Sequence, residues 1–135
     1  MRLFLDACVV IYLVEGNLAF ASRVRAAIDG LRARHPDASV AVSEISRLQC
    51  RVRPLREGDM TGVGMFDRFF ASAGVEMCPI GQDIIDLATQ VRARTGLRTP
   101  DALQAATCLA LPAPRRFMTA DAAFRRVAGL DVVLV

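Results

Sequence analysis

At 135 residues, 53% of them hydrophobic and with charges spread throughout, the chain can bury one core but not two, so a single domain over residues 1–135 is expected. Its apolar runs fall far short of the ~18 residues that span a bilayer, and it carries no repeat and no low-complexity segment, so no membrane association is expected. The net charge of +3 is modest, yet all 17 basic residues are arginine; compositional bias accounts for that, although guanidinium also suits phosphate.

In chain order, "RLFL" at 2–5 reads as a buried strand. Behind it, "DACVVIYLVEGNLAFAS" has an Ala-x-Ala at Ala19 to Ala21 that would suit a secretory leader. Asp6 puts a charge inside that apolar run and only Arg2 supplies a basic flank, so helices over 7–15 and 18–34 are expected instead, in a cytoplasmic protein. "SVAV" is the second strand, followed by Glu44 and helical patterns over 43–55 and 60–73. "VEMCP" is the third strand, then come helices over 81–95 and 99–111. "RRFMT" is the fourth strand, a short helix over 121–127 begins at Asp121, and "DVVLV" is the fifth strand. Strands separated by helices require crossover connections, so the fold class is α/β, with a mainly parallel central sheet flanked by helices in three layers.

Nucleophile chemistry finds little support in this composition. The four cysteines form no CxxC pair and His35, in a loop, is the only histidine, which argues against a zinc site or a Cys/His or Ser/His catalyst. There is no Gly-rich phosphate loop either. Each cysteine reads as a small buried apolar residue.

The acids are more telling. Asp6, Glu44 and Asp121 each follow a predicted strand, and the carboxyl ends of parallel strands share the edge where α/β proteins bind ligands. Asp101 opens a helix just behind Pro100. Taken singly, each has a plain explanation: Asp6 and Asp121 as N-caps, Glu44 and Asp101 as first-turn charges favoured by the helix dipole, with Thr99 as the cap before Pro100. Asp6 strains that account, because a carboxylate inside an apolar run is costly to desolvate. Four converging carboxylates repel unless a cation sits among them, and a hard divalent ion such as Mg²⁺ uses oxygen ligands and supports phosphodiester hydrolysis without a protein nucleophile. Arg47/Arg51, Arg92/Arg94/Arg98, Arg115/Arg116 and Arg125/Arg126 could then frame an anionic strand, or simply be solvated. The other aspartates, Asp67 and Asp131 among them, read as solvated charges.

The blocks "MRLFLDACVVIYLVEG", "VSEISRLQC", "GLRTPDALQAATCLA" and "RRFMTADAAFRRVAGLDVVLV", in that order and over essentially the whole chain, resemble PIN-domain proteins of the VapC toxin type. The resemblance implies a Mg²⁺-dependent endoribonuclease, with Mn²⁺ as an alternative ion, serving as the toxin of a bacterial toxin-antitoxin pair. It places the family's acids on Asp6, Glu44, Asp101 and Asp121, with Asp6, Asp101 and Asp121 as metal ligands and Glu44 as a ligand or a base that orients water. It further implies products with 5′-phosphate and 3′-hydroxyl ends, a cognate antitoxin over the cleft and a homodimer. Thr119, Arg98 and Arg47 are candidates for contacting phosphate or supporting the acids. Cys8 stands where the family usually has Asn or a small hydroxyl residue, Ala120 where Asn is frequent and Gln104 where His is frequent; lost supporting partners would loosen metal geometry. Two alternatives share the same acids: a PIN nuclease of RNA processing without an antitoxin, and a catalytically weak module that binds RNA or antitoxin.

Overall fold

Five apolar runs pair into one parallel sheet in the order β3-β2-β1-β4-β5, in a computed structural model that describes all 135 residues. The strands are β1 (Arg2–Leu5), β2 (Ser39–Ser43), β3 (Val75–Cys78), β4 (Arg115–Thr119) and β5 (Val132–Leu134). Helices α1 (Ala7–Glu15) and α2 (Leu18–Arg34) link β1 to β2, α3 (Ile45–Arg56) and α4 (Met60–Ala71) link β2 to β3, and α5 (Gln82–Thr95) and α6 (Thr99–Leu109) link β3 to β4. A 3-10 turn over Ala122–Arg126 leads to β5.

Period-two alternation gives the sheet two apolar faces. Leu3, Leu5, Val40, Val42 and Met118 pack with residues of α1 to α4, including Val10, Val24, Phe66 and Phe70. Phe4, Ala41 and Phe117 face the other way, toward Ile84 and Val91 of α5, Ala102, Ala105 and Ala106 of α6, and Phe124. Small residues on α6 and β2 let that helix lie close, while Phe117 stacks on Phe4 with ring centroids 5.5 Å apart and touches Phe124 at 4.6 Å. The apolar run that could pass for a leader is thus core: Leu3, Phe4, Leu5, Val9 and Val10 are buried. No single helix is long and apolar enough to cross a membrane; α1 and α2 would reach that length only together, across a 114° bend.

Two glycines carry turns that an L-side chain would resist. Gly16 closes α1 at φ +71° and Gly96 closes α5 at φ +72°, its N–H donating to the Arg92 carbonyl at 2.9 Å. Gly96 thereby sets the entry into α6. The expected elements all form, with three local corrections. Glu44 lies at the cap of α3 rather than inside it. The segment after Asp121 is a 3-10 turn, since only five residues separate Asp121 from Val127. Finally, α6 begins at Thr99 itself, with Arg98 at the cap and no side-chain capping bond; the Thr99 hydroxyl instead accepts from Arg92 Nε at 3.4 Å.

Candidate active site at the carboxyl edge

β1 is the central strand, and the chain runs from it through β2 and β3 on one side before crossing to β4 and β5 on the other. The direction of winding therefore reverses between β1 and β4, the place where open α/β sheets leave a crevice at their carboxyl ends. Asp6 stands at the end of β1, Glu44 at the end of β2 and Asp121 just beyond β4, so three of the four acids leave three adjacent strands.

Asp6 spans the reversal. Its N–H donates to the Met118 carbonyl at 3.0 Å, continuing the β1–β4 ladder. Its Oδ1 accepts from the Ala7 N–H at 2.8 Å and caps α1. Capping does not account for the other oxygen: Oδ2 accepts from the Thr119 hydroxyl at 2.8 Å and from the Cys8 thiol at 3.4 Å. Only 7% of the residue is exposed. Burial pushes the Asp6 carboxyl above the usual range, the bonds from Thr119, Cys8 and Ala7 oppose that, and the negative charge of Asp101 pushes it further up. A carboxylate buried beside another carboxylate is a place that favours a cation.

Asp101 sits in the first turn of α6, its side chain 18% exposed, and its one ion pair is with Arg98 of the same turn, whose Nε lies 3.5 Å away and whose side chain is 87% exposed. Glu44 is exposed at the mouth of α3 without a capping bond; its backbone is fixed by its N–H to the Cys78 carbonyl at 2.9 Å and by the Arg47 N–H to its own carbonyl at 3.0 Å. Asp121 accepts from the Ala123 N–H at 2.9 Å, capping the 3-10 turn, and is otherwise exposed. The capping roles expected of Asp6 and Asp121 are real, and in Asp6 they use half of the carboxylate. As the side chains stand, no three of the His, Cys, Asp and Glu groups lie together as a set that could hold an ion.

Several supporting residues are tied to the acids or to one another by hydrogen bonds. Thr119 is fully buried and cannot meet a phosphate in solvent; its hydroxyl gives its proton to Asp6 and accepts from the Asp121 N–H at 3.1 Å, joining two of the acids. Cys8 supplies the donor that its replacement of an amide or hydroxyl residue was expected to lose. Burial and the Asp6 charge push its thiol up to about 11, so it keeps its proton and can donate. Buried Gln104 and Ser46 and half-buried Gln49 form a hydrogen-bonded group between α6 and α3, which no spacing in the sequence announced.

The arginines divide. Arg92 touches Thr99 and Arg98 touches Asp101 in the first turn of α6, while Arg126 Nη1 donates to the Thr95 carbonyl at the end of α5 at 3.2 Å. Arg47 and Arg51 flank Glu44 on α3, partly engaged by Asp67 at 4.0 and 3.1 Å. Arg47 also lies over the Phe70 ring at 5.8 Å. Arg115 and Arg116 open β4, at the opposite edge of the sheet from the acids, so they cannot frame a ligand held there. An apolar hollow of about 450 Å³ between α5 and α6 is lined by none of the four acids.

The same architecture recurs in solved structures. VapBC2 from Rickettsia felis bound to a promoter DNA fragment superposes with a TM-score of 0.75 at 14% identity, covering 99% of this chain and 98% of that one. VapBC-1 from nontypeable Haemophilus influenzae gives 0.71 at 17%, covering 99% and 98%. A toxin-antitoxin complex from Klebsiella pneumoniae gives 0.68 at 21%, covering 98% and 96%. No curated protein matches in sequence. The PIN domain model matches residues 3–130, nearly the whole chain and all four acids, and on that match the chain belongs to the PIN domain family.

Proposed function

We propose that this chain is a divalent-metal-dependent endoribonuclease and the toxin of a toxin-antitoxin pair. The observation that carries the reading is the buried Asp6 carboxylate at the winding reversal, clasped by Thr119 and Cys8 and set against the charge of Asp101 instead of a cationic side chain. The donor set fits a hard cation in its chemistry: the acids offer only oxygen, and Mg²⁺ needs just one or two protein carboxylates with waters completing its shell, so three preassembled ligands are not required. Asp6, Asp101 and Asp121 would hold Mg²⁺, or Mn²⁺ in its place. When bound, such an ion lowers the pKa of an attacking water and neutralises charge on the scissile phosphate.

The chain's own residues supply the rest. Thr119 and Cys8 fix the Asp6 rotamer, so that its carboxylate is held in place before a ligand arrives. Glu44, exposed at the mouth of α3, is placed to accept a proton from water or to serve as a further ligand. Arg98 exchanges its contact with Asp101 for the RNA backbone, and Arg92, Arg126 and Arg47 extend that contact along the strand without reading bases.

The antitoxin reading has a surface to support it. Leu48, Val52 and Leu55 recur at helical spacing on α3, 66%, 44% and 60% exposed, and with Glu44, Arg47 and Arg51 they line an open hollow of about 580 Å³. An apolar stripe this exposed on a soluble domain marks an interaction site, and a partner seated on it would reach Glu44. The three superposing structures are themselves toxin-antitoxin assemblies. The test is cleavage of single-stranded RNA by the purified chain with Mg²⁺ or Mn²⁺ and with chelator, together with growth of a bacterial host on induction. Metal-dependent cleavage and growth arrest, both lost in Asp101→Asn, are expected; cleavage that persists in chelator overturns the proposal.

A further inference from the structure

α6 packs on the sheet through Ala102, Ala105 and Ala106, yet the side it turns toward α3 is polar. Asp101, Gln104 and Thr107 recur at three-residue spacing and share that side. Gln104 is fully buried, and both hydrogens of its amide are used on α3: Nε2 donates to Ser46 Oγ at 2.9 Å and to Gln49 Oε1 at 2.8 Å. Thr107 continues the seam, its Oγ1 standing 3.5 Å from Ser43 Oγ at the end of β2. Gln104 Oε1 is buried with no hydrogen-bond partner at all.

An unpartnered buried carbonyl forfeits its hydration without compensation, so a seam apolar on both helices would serve the packing better than this polar one. A polar residue kept in a core against its own stability points to a requirement other than stability. The location supplies one. Gln104 lies one helical turn beyond Asp101, and Ser46 lies two residues beyond Glu44, so the amide joins the two helices next to their acidic ends. Two hydrogen bonds from one planar group fix both the spacing and the rotation of α6 against α3, whereas apolar contact alone would let the helices slide.

We infer that Gln104 is a positioning residue: by tying α6 to Ser46 and Gln49 it sets the separation of Asp101 and Glu44, and through them the affinity of the site for a divalent cation. The inference rests on the reading of the four acids as a cation site. The experiment compares wild type, Gln104→Leu, Ser46→Ala and the double variant by titration with Mn²⁺ alone and by thermal unfolding in chelator. Gln104→Leu removes the unpartnered carbonyl but also leaves Ser46 Oγ and Gln49 Oε1 without their donor, so it should melt in chelator no higher than wild type, and it should bind Mn²⁺ about 10–100-fold more weakly, the range seen when a residue supporting metal ligands is lost. Ser46→Ala should weaken binding less, and the double variant should be no worse than Gln104→Leu, because both act through one seam. Unchanged Mn²⁺ affinity in Gln104→Leu overturns the inference, as does a lower melting temperature with unchanged affinity, which would make the seam a packing element only. Should Gln104→Leu fold poorly, unchanged affinity in Ser46→Ala has the same force. A wild-type protein that binds no Mn²⁺ overturns the reading of the acids themselves and the seam's role with it, so the two failures are told apart.

Discussion

The two edges of the sheet treat charge in opposite ways. At the amino edge three charges meet their opposites, and only Arg115 of the strand ends there lacks an ion pair: the Met1 amino group lies 3.6 Å from Asp37, Arg2 Nε lies 2.9 Å from Glu76, and Arg116 Nε lies 3.2 Å from Asp131. At the carboxyl edge Asp6 is buried against the field of Asp101, and the nearest cation to Asp101 is an exposed arginine from its own turn. One edge is arranged for the fold. The other gathers like charges, which weakens the fold unless something else is bound.

The most forceful way to break this contrast is to neutralise one member of the acidic pair. Asp101→Asn should reduce RNA cleavage by about 10³-fold, since several kcal/mol of charge stabilisation depend on the bound ion and each ~1.4 kcal/mol is a factor of ten. The metal-free protein should melt at the same temperature or higher, because Asp6 loses a repulsive neighbour. A first-turn charge that merely favoured the helix dipole would behave in reverse, with cleavage kept and about 0.3–1 kcal/mol of stability lost. Thermal unfolding beside a cleavage assay distinguishes the two.

Removing the clasp is the next largest perturbation. Thr119→Val keeps the shape of a fully buried side chain but leaves Asp6 Oδ2 short of a donor and the Asp121 N–H without its acceptor. We expect a loss of about 1–3 kcal/mol on unfolding in urea and about 10–100-fold weaker metal affinity by titration. Cys8→Ser, which retains a donor, should alter both far less.

A third prediction uses the titration of Asp6. Its folded carboxyl lies above the ordinary 3.8, through burial first, then against the bonds from Thr119, Cys8 and Ala7, and finally through Asp101. Between 3.8 and that raised value the folded chain holds more protons than the unfolded chain, so the free energy of unfolding falls as pH rises. The contribution is complete below 3.8 and is lost as pH climbs through the folded value. Melting temperature against pH, in chelator, should therefore fall more steeply through this window for wild type than for Asp6→Asn, and saturating Mg²⁺ should remove the difference.

The part of this contrast legible in the sequence was the part written in short-range pattern. Alternation in "RLFL" and "SVAV" gave the strands, and a charge directly behind each strand placed Asp6 and Glu44 at the carboxyl edge. Direct contacts between distant residues were not legible: Thr119 meets Asp6 across 113 positions and Gln104 meets Ser46 across 58, and nothing local marks either pair. Cys8 departs from the family in residue type but keeps a donor for Asp6, which residue type alone does not reveal. Arg115 and Arg116 share only their charge with the other arginine pairs; their position at the start of a parallel strand assigns them to the far edge.

That last point yields the smallest effect and the cleanest control. Arg116 is 36% exposed and its partner Asp131 60%, so the pair is screened by water, and a double-mutant cycle with Arg116→Ala and Asp131→Ala should return a coupling of only about 0.2–1 kcal/mol. Neither variant should alter cleavage. The same protein offers the opposing case in Arg98, a far more exposed arginine beside Asp101. If Arg98 engages an RNA phosphate, Arg98→Ala should reduce the steepness of log affinity against log salt by about 0.7, the amount for one phosphate contact on a single strand, while Arg116→Ala leaves the slope where it was. Equal slopes for both variants would mean that RNA responds to the overall charge of the chain and not to its edge, and the functional contrast between the two edges would then rest on the acids alone.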